Sequence, residues 1–141
     1  MKYWDTSAIM PLLVQEQASA AMKDIFGRDK VVFVWWAAEV ECVSALARVE
    51  RERRLNPDDL AFAYRRLEVF CASWYVIQPV EVLKEIAKRL LRVHPLSAAD
   101  ALQLAAAVVG SRHNPRGLEF VCLDSRLSAA AQREGFNVIG G

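Results

Sequence analysis

With 141 residues, 54% of them hydrophobic and 25% charged, this chain has the length of one domain and the composition of a packed core, which excludes a disordered segment. Its net charge of +1 gives no global field that would attract nucleic acid, so any binding of RNA or DNA must come from local patches. No apolar run approaches the roughly 18 residues of a membrane span, and the N-terminus lacks a signal-peptide pattern, so we expect a cytoplasmic protein with no membrane segment.

Short apolar runs alternate along the chain with longer segments of helical spacing. In chain order, the pattern predicts a strand at 2–5, a helix at about 7–26, a strand at 31–34, helices at 37–54 and 60–72, a strand at 74–77, helices at 80–92 and 97–111, a strand at 119–123, a helix at 125–134 and an edge strand at 137–139. Pro11 suits the first turn of the first long helix, and Gly27 suits its end. The alternation predicts an α/β fold with a mostly parallel central sheet of about five strands, in a single domain over residues 1–141.

Four acidic residues stand in apolar or strand-to-helix settings: Asp5, Glu41, Asp100 and Asp124. Three of them lie where a predicted strand ends or a predicted helix begins, and in a wound α/β fold those points gather at one edge of the sheet. Four carboxylates gathered there would repel one another unless a cation lay between them. Hard divalent ions such as Mg²⁺ and Mn²⁺ prefer such oxygen ligands, so the leading interpretation is a metal-dependent site that cleaves phosphodiester bonds.

Each acid also has an ordinary structural explanation that the sequence leaves open. Asp5 and Asp124 suit the N-cap of a helix, and Ser97-Ala98-Ala99-Asp100 fits a capping box. Glu41 resists this explanation because it lies inside a helix among small neighbours, whereas Glu39 points nearly the opposite way. Hydroxyl groups flank two of the acids and are predicted to orient them: Thr6, Ser7 and Ser125.

In this order, the segments around the acids resemble those of the PIN-domain ribonucleases, and most closely the VapC-type toxins of bacterial and archaeal toxin–antitoxin pairs. The matching segments are Tyr3-Trp4-Asp5-Thr6-Ser7-Ala8-Ile9, Glu41 with Ser44-Ala45-Leu46-Ala47-Arg48, Leu96-Ser97-Ala98-Ala99-Asp100-Ala101-Leu102-Gln103-Leu104-Ala105, and Phe120-Val121-Cys122-Leu123-Asp124-Ser125-Arg126-Leu127 with Gly135-Phe136. The segments around Asp100 and Asp124 are the most specific, and the region from 51 to 88 carries no signature of the family.

The resemblance implies a three-layer α/β/α PIN-like fold and an endoribonuclease that depends on Mg²⁺ or Mn²⁺. It places the catalytic metal site on all four acids, with Asp5 and Asp100 as the central ligands. Glu41 and Asp124 then complete the ligand shells, directly or through water. The implied partners are an RNA substrate, a cognate antitoxin protein with a segment in the active-site groove, and a second copy of the chain in a homodimer.

Basic residues near the acids are candidates for holding RNA phosphates, which adds affinity without reading the base sequence. Arg48 shares a helical face with Glu41, and Arg112 and Arg116 lie in a predicted loop. Trp35 and Trp36 follow a predicted strand, where core packing or an interface is a better explanation than stacking on RNA bases. These basic and aromatic residues are the predicted RNA contacts outside the acidic site.

Hydropathy gives weak support for self-association. The mean hydropathy of +0.12 is high for a small monomer and favours an apolar interface. Two helices supply the predicted contact residues: Met10, Leu12, Leu13 and Val14 in the first, and Phe62, Tyr64 and Phe70 in the second.

Two other functions stay open at this point. One is a PIN-like scaffold that binds protein or RNA with little or no catalysis, although the complete set of four acids argues against it. The other is a phosphatase of another α/β fold with its nucleophile at Asp5. That chemistry usually needs a second aspartate two positions further on, where this chain has Ser7. The class of RNA that is cut, whether transfer, ribosomal or messenger, stays open as well.

Overall fold

A five-stranded sheet forms the centre of the computed structural model, which describes all residues from Met1 to Gly141. Its strands are β1 (Lys2–Trp4), β2 (Val32–Trp35), β3 (Tyr75–Ile77), β4 (Glu119–Cys122) and β5 (Val138–Gly140). The strand order is β3-β2-β1-β4-β5, and every neighbouring pair is parallel. All five strands therefore end at the same edge of the sheet, which confirms the predicted parallel α/β fold.

Seven α-helices cover the two faces of the sheet. They are α1 (Thr6–Leu13), α2 (Ser19–Arg28), α3 (Ala38–Arg51), α4 (Pro57–Cys71), α5 (Glu81–Val93), α6 (Ala98–Gly110) and α7 (Ser125–Arg133). Because side chains alternate along a strand, Tyr3 and Phe120 pack on one face with α5, α6 and α7. Trp4 and Val121 pack on the other face with α1 to α4, which completes three α/β/α layers. None of these helices combines the length and the apolar character needed to cross a membrane.

The single long helix predicted near the N-terminus is wrong, because the chain forms two helices there. Helix α1 stops after only eight residues, and α2 begins after a short connection and ends at Arg28, one residue after the predicted stop at Gly27. The buried hydroxyl of Ser19 fixes this break: it donates to the Pro11 carbonyl at 2.7 Å and accepts from the Glu16 backbone N–H at 2.8 Å. A helix end needs such partners for its free backbone groups, and Ser19 supplies them from the next helix.

The other predicted elements agree with the structure to within a few residues. Helix α4 begins three residues before the predicted start at 60, because the side-chain oxygen of Asn56 caps it by accepting from the Asp59 backbone N–H at 2.8 Å. The last strand is an edge strand, as predicted. The predicted loop before β4 includes a short 3₁₀ turn over Pro115–Gly117.

Candidate metal centre

The ends of the central strands bring the four predicted acids to one edge of the sheet. Asp5 directly follows β1, and Asp124 lies two residues beyond the end of the neighbouring strand β4. Glu41 lies in the first turn of α3, the helix after β2, and Asp100 lies in the first turn of α6. This placement follows from parallel topology, because the carboxyl ends of neighbouring strands share one edge.

Asp5 is both the N-cap of α1 and the most buried of the four acids, with an exposed fraction of 5%. Its Oδ2 atom accepts from the Ser7 backbone N–H at 3.1 Å, from the Ser7 hydroxyl and from the Cys122 thiol at 3.7 Å. Oδ1 has no hydrogen-bond partner. Burial raises the pKa of Asp5 to about 6, with help from the negative charges of Glu41 and Asp100 and against the opposing effect of the Ser7 bonds.

Glu41 shows the same division between its two carboxylate oxygens. Its Oε2 atom accepts from the Thr6 hydroxyl at 2.6 Å and from Nε2 of Gln103 at 2.6 Å, while Oε1 accepts from no protein group. Glu39, two residues earlier, is exposed, and its Oε1 lies 3.6 Å from the Cys71 thiol on α4. The structure therefore brings Glu41, and not Glu39, to the other acids.

Asp100 and Asp124 complete the group from two helix starts. The Ser97 hydroxyl caps α6 by accepting from the Asp100 backbone N–H at 3.2 Å. Asp124 caps α7, since its Oδ1 accepts from the Leu127 backbone N–H at 2.8 Å. Burial and the negative charge of Asp124 both raise the pKa of Asp100. The predicted caps at Asp5 and Asp124 are therefore confirmed, and each leaves one carboxylate oxygen available. Only half of the predicted capping box is present, because Ser97 caps α6 while the Asp100 side chain returns no hydrogen bond to the Ser97 backbone N–H.

Besides burial, the negative charges of neighbouring acids contribute to the raised pKa values of Asp5 and Asp100. The charges of Glu41 and Asp100 raise the pKa of Asp5, and the charge of Asp124 raises the pKa of Asp100. No three acidic, histidine or cysteine side chains form a compact metal-ligand cluster. The donors are all oxygens, and Asp5 and Glu41 each keep one oxygen free. Such a donor set fits Mg²⁺ or Mn²⁺, because Mg²⁺ usually takes only one or two carboxylates and keeps several waters.

The three flanking hydroxyls differ in what they contact. Thr6 donates to Glu41, and Ser7 donates to Asp5, so both lie where they can orient a carboxylate. Ser125 begins α7 but forms no hydrogen bond with Asp124. An orienting role therefore has geometric support at Thr6 and Ser7 and none at Ser125.

Gln103 is a member of this site that the sequence interpretation missed. It is 1% exposed and lies one turn after Asp100 on α6. Its Nε2 atom donates to Glu41 and, at 3.2 Å, to the Thr6 hydroxyl. The sequence does contain a signal for Gln103, since it is a polar residue one turn after Asp100 in an otherwise apolar helix.

The predicted RNA-binding arginines do not lie together. Arg48 is exposed on α3, two turns beyond Glu41. Arg112 and Arg116 lie past the far end of α6 and before β4, at the edge opposite the acids. Helix α6 rises about 1.5 Å per residue, so roughly 15 Å of helix separates Asp100 from the segment that holds them. This placement does not support the predicted contact of Arg112 and Arg116 with RNA at the acids, because β4 also lies between them and Asp124.

The structure also changes the predicted contact surface. Met10, Leu12 and Leu13 on α1 are buried in the core, although Leu12 and Leu13 line the same apolar groove as Phe62 of α4. On α4, Phe62 is 52% exposed, and it lines an apolar groove with a volume of about 690 Å³ between α1, α2 and α4. Of the two predicted helices, only the second keeps a large exposed apolar residue.

An all-parallel five-stranded sheet between two helical layers, with acids at the strand ends, defines a PIN-like domain. The structure is similar to the crystal structure of PAE2754 from Pyrobaculum aerophilum, with a TM-score of 0.64 and 25% sequence identity, over 92% of this chain and 84% of that one. The chain matches no protein-family model.

Two curated relatives place the chain in a family. Ribonuclease VapC45 from Mycobacterium tuberculosis strain CDC 1551 and Ribonuclease VapC49 from strain H37Rv are each 33% identical to it over 137 residues, which is 96% of this chain and 92% of each relative. The chain belongs to the VapC family of ribonucleases, and the predicted resemblance is confirmed.

Proposed function

We propose that this chain is a metal-dependent endoribonuclease that hydrolyses RNA phosphodiester bonds and acts as the toxin of a toxin–antitoxin pair. One observation supports the proposal: four acids from separate elements lie at the carboxyl edge of the sheet, and Asp5 and Glu41 each keep one carboxylate oxygen free of hydrogen bonds. The names of the VapC relatives support the choice of RNA as the substrate.

In this proposal the four acids hold one or two divalent ions. Asp5 and Asp100 are the central ligands, while Glu41 and Asp124 contribute directly or through water. When bound, Mg²⁺ or Mn²⁺ supplies Lewis-acid activation of water and stabilises negative charge on the phosphate and on the leaving oxygen. The hydroxyl of Ser7 holds Asp5 in place through Oδ2, and the free Oδ1 is the atom we assign to the ion.

Two exposed side chains on or next to α3 are candidates for contact with RNA. Arg48 is the remaining basic candidate for a phosphate contact, since it is exposed on the helix that carries Glu41. Trp36 follows β2 at the same edge and is 56% exposed, whereas Trp35 is buried. Trp36 is therefore the tryptophan with a ring available to stack on a base.

The proposed partners follow from the family and from the surface. We propose a cognate antitoxin with a segment in the active-site groove, a homodimer, and a cytoplasmic location. The exposed Phe62 on α4, in an apolar groove that Leu12 and Leu13 of α1 also line, supports an apolar contact with a partner.

Purified protein without antitoxin should cut total cellular RNA into discrete fragments in Mg²⁺ or Mn²⁺ and leave it intact in EDTA. The reason is that the carboxylates alone supply no electrophile for the phosphate. Gel analysis of the fragments checks this result, and their ends identify the cleavage sites. Equal cleavage in EDTA would contradict a metal-dependent reaction. Intact RNA under every condition, with protein shown to be folded, would favour the binding scaffold.

A further inference from the structure

Gln103 is a buried amide in the middle of an apolar helix. It is 1% exposed, and its neighbours Leu104 and Ala105 are fully buried. Burying an amide is costly unless its polar atoms find partners. Gln103 satisfies both ends of its amide with side chains from other elements, so its position in α6 depends on those partners.

The direction of the Gln103 amide is determined by its partners. An ionised Glu41 only accepts hydrogen bonds, so the nitrogen end of the amide must point to it, and Nε2 lies 2.6 Å from Oε2. The oxygen end then faces Tyr3, whose phenol donates to Oε1. A flipped amide would place oxygen against the carboxylate and nitrogen against the phenol.

Tyr3 is itself fixed in the sheet. It is fully buried in β1, and its ring stacks on Phe120 of β4 with the centroids 5.1 Å apart. A chain of side-chain contacts thus runs from the centre of the sheet through Tyr3 and Gln103 to Glu41. Thr6 joins it by accepting from Gln103 and donating to Glu41.

These contacts hold Glu41 near Asp5, although the repulsion between the two negative charges favours a larger separation. Glu41 lies close enough to Asp5 for their charges to repel each other, and a glutamate on a half-buried helix face has the freedom to turn toward solvent. The donors of Thr6 and Gln103 both act on Oε2 and hold the side chain near Asp5, while Oε1 remains free.

We propose that Gln103 is a positioning residue that holds Glu41 in the orientation needed for divalent-metal binding, and that Tyr3 acts through Gln103 by fixing the direction of its amide. The inference rests on the proposed metal-dependent ribonuclease. It assigns a role in the site to two buried residues that do not touch the ion or the RNA.

Three variants and one control test this inference. Gln103→Leu and Gln103→Met keep the size and remove the hydrogen bonds, and Tyr3→Phe removes only the phenol oxygen that directs the amide. Val108→Ala is the matched control, because Val108 is buried on the same helix and its aliphatic side chain takes no part in these hydrogen bonds. Thermal unfolding in EDTA reports the loss of stability, and calorimetric titration with Mn²⁺ reports metal affinity without any RNA.

We expect the Gln103 variants to bind Mn²⁺ about 10- to 100-fold more weakly, as is usual when a residue that orients a metal ligand is lost. Tyr3→Phe should weaken binding less, by several-fold. In RNA cleavage, kcat should fall at low Mn²⁺ and recover at high Mn²⁺, with KM for RNA unchanged. Val108→Ala should lower the unfolding temperature while Mn²⁺ affinity stays at the wild-type value.

The outcomes separate this inference from the proposed function. If wild type binds Mn²⁺ and cuts RNA, and the folded Gln103 and Tyr3 variants bind Mn²⁺ as tightly, the positioning role is overturned and the ribonuclease stands. If wild type binds Mn²⁺ but cuts no RNA, the proposed function fails, while weaker Mn²⁺ binding by the variants still supports the positioning role. If wild type binds no Mn²⁺, both are overturned.

Discussion

Asp5→Asn should lower the rate of RNA cleavage at least about 10³-fold, because it removes the charge of a central metal ligand and metal catalysis contributes several kcal/mol. Asparagine replaces aspartate well as an N-cap, so α1 should stay intact and the loss should be one of chemistry. Initial rates with a defined RNA fragment in saturating Mg²⁺ measure the effect.

Glu39→Gln is the matched control for this loss. Glu39 is an acid on the same helix as Glu41, but it is exposed and lies against Cys71 on α4. Its replacement should leave the cleavage rate within about twofold of wild type, since surface changes away from a site rarely matter. Substantial activity in Asp5→Asn, or an equal loss in Glu39→Gln, would contradict the assignment of the site.

The metal-free protein should become less stable as the pH rises, because its most buried acid must ionise. Burial, with the charges of Glu41 and Asp100 adding to it, raises the pKa of Asp5 from 3.8 to about 6. The folded state therefore holds this proton more tightly than the unfolded state does. The contribution of Asp5 to stability is complete below pH 4 and is lost as the pH rises through 6. A difference of about two pKa units corresponds to about 3 kcal/mol.

Asp5→Asn isolates this effect, since it removes the group that titrates. In EDTA, the free energy of unfolding of the variant relative to wild type should increase by about 3 kcal/mol between pH 4 and pH 7. Denaturant titrations at the two pH values measure it. Mn²⁺ at 100 times its Kd should then stabilise wild type at pH 7 by about 2.7 kcal/mol and leave the variant unchanged. If the difference in the free energy of unfolding between the two proteins does not change with pH, burial does not raise the pKa of Asp5.

The sequence predicted the sheet and the placement of the acids because both depend on local patterns. Apolar runs such as Val31 to Val34 are typical of buried parallel strands, and parallel strands end at one edge. The helical period separated Glu41 from Glu39. Cap and ligand were treated as alternatives for Asp5 and Asp124, yet the structure makes them compatible because a carboxylate has two oxygens.

The features that the sequence did not reveal depend on contacts between distant residues. Ser19 ends α1 from the following helix, and helical spacing through the break gives no sign of it. The bond between Tyr3 and Gln103 joins residues 100 positions apart. Charge and a predicted loop position make Arg116 a candidate RNA contact, whereas its position before β4 puts it at the other edge of the sheet.

A crystal structure of the protein with Mn²⁺, with anomalous scattering recorded for the ion, tests the central claim most directly. We expect an Mn²⁺ peak among Asp5, Glu41, Asp100 and Asp124, with the Asp5 oxygen that accepts no hydrogen bond as one of its ligands. If crystals of a preparation that cuts RNA bind Mn²⁺ only elsewhere, the four acids have structural roles alone and do not form a metal centre.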